Sequence, residues 1–266
     1  MYERREIFAQ APLELVAAEV RYPYAPRLRQ PDVQDRLQIA LEAYVPIRRE
    51  VQDLKFQLSP SGATQQSETY FNLFDVASTK SVRITPQAIL VETTRYSEFP
   101  EFLNLVKKVT SVVAEEKAVP AIERLGLRYL DEIRVPEPIQ DASQWSDWVD
   151  PSLVSVTKLG TGAVNTLQGV LQYNTGPQTQ LQFTYAALAG QGVVGGGPLK
   201  RRSNSEPGPF FLLDFDSFWQ AVEPESVKAF DPEGIAQTFE SLHAPMGEVF
   251  QRAITDRLRN VFRGAA

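Results

Sequence analysis

Apolar and polar positions alternate over residues 13–22, and Pro23 and Pro26 close that run, so it reads as a strand. Pro31-Asp32-Val33 then opens a short helix in which Val33, Leu37 and Leu41 recur at a spacing of four. Four further strands are predicted at 51–58, 67–75, 80–85 and 88–95, separated by turn residues such as Ser59-Pro60-Ser61-Gly62 and Pro86-Gln87. Phe102, Leu105, Val106, Val109, Val112 and Val113 mark one helical stripe, with Pro100 in its first turn and Pro120 beyond its end.

The second half repeats this plan. A long strand is predicted at 122–135 and stops at Pro136 and Pro138. A segment around Trp145 and Trp148 takes the place of the short helix, and strands are expected at 153–159, 163–173, 180–189 and 210–218. Asn174-Thr175-Gly176-Pro177 is a strong hairpin signal. A long helix ends the chain, capped by Asp231 with Pro232 at its first position. Its stripe runs from Ile235 through Phe239, Leu242, Met246, Val249, Phe250, Ile254 and Leu258 to Phe262, and Pro245 is expected to kink or divide it.

The fold class expected is α+β, a duplicated strand–short helix–four strands–helix unit. The halves, 1–120 and 121–266, meet near Pro120 and share one curved antiparallel sheet with two long helices on one face. The opening strands also end alike, Ala18-Glu-Val-Arg-Tyr-Pro23 beside Asp131-Glu-Ile-Arg-Val-Pro136. This order resembles that of the TATA-binding-protein-like duplicated fold, and a helix-grip fold of the START type is the competing architecture for either half.

Composition removes several chemistries. The 266 residues contain no Cys and one His, which excludes disulfide frameworks, thiolate metal sites, cysteine nucleophiles and polyhistidine centres. The net charge of −6 argues against unassisted binding to nucleic acid. Residues 1–8 mix acids and bases with no apolar run behind them, and no window reaches the ~18 apolar residues of a membrane span, so a cytoplasmic protein away from membranes is expected.

Few residues carry a chemical signal. His243, the single imidazole, sits inside the C-terminal helix and has no nucleophile elbow to serve. It reads as a packing or binding residue. Asp214 and Asp216 alternate along a strand and share one face, where they would make a weak divalent-cation site or a solvated strand end. Glu14, Glu19, Asp131 and Glu132 read as rim and edge charges, and the neighbours Asp131 and Glu132 face opposite sides of their strand. Residues 190–208 are rich in glycine and carry Lys200, Arg201 and Arg202, yet match neither phosphate-binding fingerprint. They read as a long mobile hairpin loop, or as one that orders on a partner. Arg124 and Arg128 flank Gly126, which suggests a bulge or a close approach. With Tyr129 beside them they offer an anionic ligand or acidic partner a place to bind, unless acids on adjoining strands claim them first.

Pro12-Leu13-x-x-Val16-x-x-Glu19-x-Arg21-Tyr22, Arg124-x-Gly126-Leu127-Arg128-Tyr129 and Leu242-His243 with Phe250 and Ile254-Thr255 together resemble a sporadically distributed family of uncharacterised bacterial proteins. The resemblance covers nearly the whole chain and excludes the glycine-rich loop. It carries over no activity, cofactor or catalytic residue, and the family's patchy distribution resembles that of defence or toxin–antitoxin loci. The function expected is a non-enzymatic binding protein acting through protein–protein contact. A nucleic-acid or nucleotide binder using the arginine face is the alternative, and a divalent-metal-dependent enzyme centred on Asp214 and Asp216 the second.

Overall fold

The structure, a computed structural model, describes residues 6–59, 62–193, 197–202, 206–223 and 226–264, and of 51–59 and 62–69 it describes the backbone only. In chain order the elements are β1 (Leu13–Arg21), α1 (Pro31–Leu41), β2 (Ile47–Ser59), β3 (Gly62–Phe74), β4 (Lys80–Ile84), β5 (Ala88–Thr93), α2 (Phe99–Glu115), β6 (Ala121–Ile122) and β7 (Arg124–Ile133). They continue with β8 (Leu167–Gly176), β9 (Thr179–Gly190), β10 (Gly208–Gln220), β11 (Lys228–Ala229), α3 (Pro232–Ala253) and α4 (Asp256–Arg263).

The protein is α+β. Nine strands form one antiparallel sheet in the order β2-β3-β4-β5-β1-β7-β10-β9-β8. The first five strands of that order come from residues before Pro120 and the other four from residues after it. In each block the first strand in sequence pairs with the last, and the blocks join where β1 runs antiparallel to β7.

Period-two patterning decides which face is covered. Val16, Ala18 and Val20 of β1, Leu125, Leu127, Tyr129 and Ile133 of β7, and Phe211, Leu213, Phe215 and Trp219 of β10 are buried toward the helices. Burying their apolar area, at about 25 cal/mol per Å², is the main term holding the layers together. The α2 stripe read from the sequence is buried throughout, and α3 buries Ile235, Phe239, Leu242 and Met246 beside it. Asp231 caps α3 by accepting from the Gly234 N–H at 2.9 Å.

Three expectations need correction and a fourth is narrowed to one of its alternatives. Residues 153–159 are not a strand but belong to short 3₁₀ turns, Pro151–Leu153 and Ser155–Leu159. Asp150 caps the first of them and Pro151 opens it, and two consecutive buried residues, Leu153 and Val154, break the alternation a strand needs. The predicted strand from 163 begins only at Leu167, so three long strands, not four, separate β7 from α3. Pro245 does not divide α3, which runs through it. The interruption falls at Ile254 and Thr255, because Ile254 bridges to Val149 and Thr255 Oγ1 accepts from the Leu258 N–H to start α4. Finally, of the bulge or close approach expected at Gly126 only the close approach is present: β7 is regular there, and Arg124 packs over the glycine. The bulge lies in β1, where Leu13 faces Asp131 and Leu15 faces Leu130, with Glu14 as the extra residue.

Among the described residues no helix is long and apolar enough to cross a membrane.

Candidate functional site

The face of the sheet opposite the helices, part of which buries Leu130, Ala186, Phe210 and Leu212, carries the arginines singled out in the sequence. Arg124 lies over Gly126 and donates from Nη1 to Glu19 Oε2 at 2.8 Å and from Nη2 to Asp216 Oδ2 at 3.1 Å. Its guanidinium stands 4.6 Å from the Phe218 ring centre. Glu19 and Phe218 are both directly opposite Gly126 in the register, so the missing side chain makes room for the arginine. Arg128 forms a two-pronged pair with Asp214, from Nε to Oδ1 at 2.8 Å and from Nη2 to Oδ2 at 2.7 Å. Asp214 and Asp216 are thus committed to arginines, and among the described residues no group of three acidic or imidazole side chains could hold a metal ion. Burial raises the Asp216 carboxyl above its ordinary range. A Cβ on Gly126 would meet the Arg124 guanidinium. Gly126→Ala is therefore expected to push Arg124 off Glu19 and Phe218 and to cost about 1–2 kcal/mol in a urea melt.

The described part of the glycine-rich loop crosses from β9 to the first half of the chain. The Lys200 N–H donates to the Ser78 carbonyl at 2.8 Å, and Thr94 Oγ1 donates to the Lys200 carbonyl at 2.6 Å. Arg201 pairs with Glu132 and lies 3.8 Å from Glu14. Gly192, at φ +124°, packs against both Arg201 and Glu132, in a backbone conformation and a space that only glycine suits. Arg202 Nη1 donates to the Ala11 carbonyl at 3.2 Å. Residues 200–202 thus contact four other segments, at Ala11, Ser78, Thr94 and Glu132; 194–196 and 203–205 lie outside the described residues.

The largest change to the sequence reading is on the covered face. Beneath α3 lies a cavity of about 340 Å³, within the size range of small-molecule sites. The sheet floors it with Leu13, Tyr129, Asp131 and Phe215. His243, Met246, Gly247 and Phe250 follow the i, i+3, i+4, i+7 pattern that puts one stripe of α3 against it. Tyr96 and Phe99 close one side, residues 6–12 another, and Arg202 reaches the rim. The Tyr96 and Tyr129 hydroxyls are 3.1 Å apart in a hydrogen bond. The His243 ring stacks on Phe99 with centres 4.0 Å apart and planes 3° apart.

Asp131 is the unusual member. It is 5% exposed and occupies an apolar-face position between Tyr129 and Ile133. Among the described residues no donor is hydrogen-bonded to its carboxyl, which lines the cavity. Burial, and then the negative charges of Asp214 and Glu14, push its pKa up to about 8 from an ordinary 3.8. At neutral pH the carboxyl is mostly protonated and can donate a hydrogen bond into the cavity.

Of the sequence candidates, the cavity collects Tyr129, Arg202 and His243, while Arg124, Arg128, Asp214 and Asp216 stay on the opposite face and Lys200 acts through its backbone. Asp131 was read as a rim charge. The signal that finds it is the alternation Leu125, Leu127, Tyr129, Asp131, Ile133, which places an acid on the face that every neighbour makes apolar.

Fold and site together define a mixed α+β protein with a polar-floored cavity between a nine-stranded sheet and its longest helix. Compared with known proteins, the chain matches no family model and no curated sequence.

Proposed function

We propose that this chain is a binding protein that holds a small amphipathic molecule in the cavity under α3. The observation that supports this most is Asp131, a neutral acid in an apolar wall facing open space. A protonated carboxyl donates, so the matching ligand group is an oxygen acceptor such as a ketone, ester or amide carbonyl. Tyr129, two residues away on the same strand face, also lines the cavity, with its hydroxyl bonded to that of Tyr96. Phe99, Phe215, Met246 and Phe250 suit an apolar or aromatic body.

The nucleic-acid alternative draws less support, since Arg124 and Arg128 already spend their guanidinium donors on Glu19, Asp214 and Asp216. Service in a bacterial defence or toxin–antitoxin assembly is a proposal that rests on the family resemblance alone. Contact with another protein concerns a different part of the sheet.

The test uses 2-acetylnaphthalene, an aromatic ketone, as probe. A ligand held only by the folded state raises stability by about 2.7 kcal/mol at a hundred times its Kd. The probe is expected to raise the melting temperature of the wild-type chain and to fluoresce as in an apolar medium. Gly247→Leu adds a side chain to the cavity stripe at a position where leucine also favours helix. That variant is expected to melt at least as high as wild type and to lose the probe response. Equal binding by wild type and Gly247→Leu would place the probe elsewhere.

A further inference from the structure

We infer that strand β8 pairs with β8 of a second copy of this chain, antiparallel about a two-fold axis, so that two nine-stranded sheets continue as one. Among the described residues β8 is the last strand of the sheet, bonded to β9 alone, with no partner strand on its outer row of backbone donors and acceptors. Such an edge is a template for another strand, and natural proteins blunt it with charges, prolines, bulges or short length. The opposite edge, β2, is blunted: Arg48, Arg49, Glu50, Asp53 and Lys55 fall within it. β8 has ten residues with no charge and no proline, and its one irregularity lies at Asn174 and Gly176, beside the turn into β9. Val170 is 55% exposed, Leu171 41% and Tyr173 40%, so apolar groups stand open on both faces of the strand.

Charge selects the occupant. From Leu159 to Leu199 there is no Asp, Glu, Lys or Arg, in a chain of which 23% of residues are charged. A foreign partner chosen by electrostatic complementarity would find nothing on β8 to read. Two copies of this chain, each at −6, repel over most of their surface. The β8–β9 edge is where they meet with no like charges opposed. The antiparallel pairing required is the one β8 already makes with β9, and a two-fold axis supplies the same strand from both copies.

Sedimentation velocity of the full chain over a range of concentrations tests this. Wild type is expected to sediment at twice the 29.8 kDa chain mass, with amide exchange across 167–176 slowed as the dimer fills. Val170→Lys and Leu171→Lys place a charge on either face at exposed positions, so their circular dichroism spectra should match wild type while both sediment as monomers and melt lower than wild type only by a concentration-dependent margin. A wild-type monomer at every concentration, or a dimer that survives both lysines, overturns the proposal. So does a β8 edge that takes a strand from a different protein while the chain itself stays monomeric.

Discussion

Replacing Asp131 by asparagine is expected to remove much of a fall in stability that the wild-type chain shows as pH rises from about 4 to about 8. The folded state keeps the Asp131 proton to about pH 8, whereas the unfolded chain releases it near its ordinary value of 3.8. Between those values the folded state binds more protons, so raising the pH favours unfolding by at most about 1.4 kcal/mol per pH unit. The contribution is fully present below the lower value and fully lost above the upper one. Its upper bound is roughly 6 kcal/mol, reduced by whatever water relaxes into the cavity. Asp216, raised by burial as well, adds to the wild-type slope in the same direction. The carboxylates held low by partners, such as Glu101 and Glu116, act in the opposite sense and at acid pH. The difference between wild type and Asp131→Asn isolates the one group. Urea melts at about pH 5 and about pH 8 should show the variant gaining on wild type at the higher pH by a few kcal/mol. Parallel behaviour of the two proteins would show that Asp131 titrates normally.

Arg201→Met is expected to be the most damaging change in the glycine-rich loop. The Glu132 side chain is 1% exposed and Arg201 is its closest cation. Removing one partner of a buried pair leaves a charge with its desolvation uncompensated, which costs about 3–5 kcal/mol. Glu132 retains the Val193 N–H at 3.2 Å and Arg134 at 3.9 Å, which moves the expected loss to the lower end, about 3 kcal/mol. Adding Glu132→Gln should recover part of that loss, since position 132 then carries no buried charge, while Glu14 still loses the Arg201 charge 3.8 Å away. Urea melts of the two single variants and the double form the cycle that measures it. Additive losses would mean that the ion pair is not what ties the loop to β7.

Local chemistry explains how far the fold could be read from the chain. The α2 stripe and the Asp231-Pro232 start of α3 were legible because each rests on spacing and capping within a few residues. The end of α3 was not, because Ile254 leaves the helix to bridge Val149, more than a hundred residues away. Residues 153–159 looked apolar enough for a strand, and only their packing shows two neighbours buried together. The arginine face was legible as residues but not as pairs, since Glu19, Asp214 and Asp216 reach Arg124 and Arg128 across strand registers. The cavity needed the third dimension, for it joins β1, β7, β10, α3 and the start of α2. Yet its key residue stood in view as an acid inside an apolar alternation, and the bare edge stood in view as a long run without charge.

The proposed ligand meets the neutral Asp131 carboxyl through an oxygen acceptor in the cavity. The most direct test of that contact is the affinity of 2-acetylnaphthalene at about pH 6 and about pH 10, for wild type and for Asp131→Asn. Glu14 and Asp214 beside the carboxyl, Glu6, Glu98 and Arg202 at the rim, and the lining residues Tyr96, Tyr129 and His243 are common to both proteins. Ionisation at Asp131 removes the donor and leaves a charge facing the carbonyl, so wild-type affinity is expected to fall roughly ten- to a hundredfold at the higher pH. The asparagine variant, still a donor, is expected to bind with nearly the same affinity at both. Wild-type affinity that does not change with pH, or a fall of equal size in Asp131→Asn, would contradict the account.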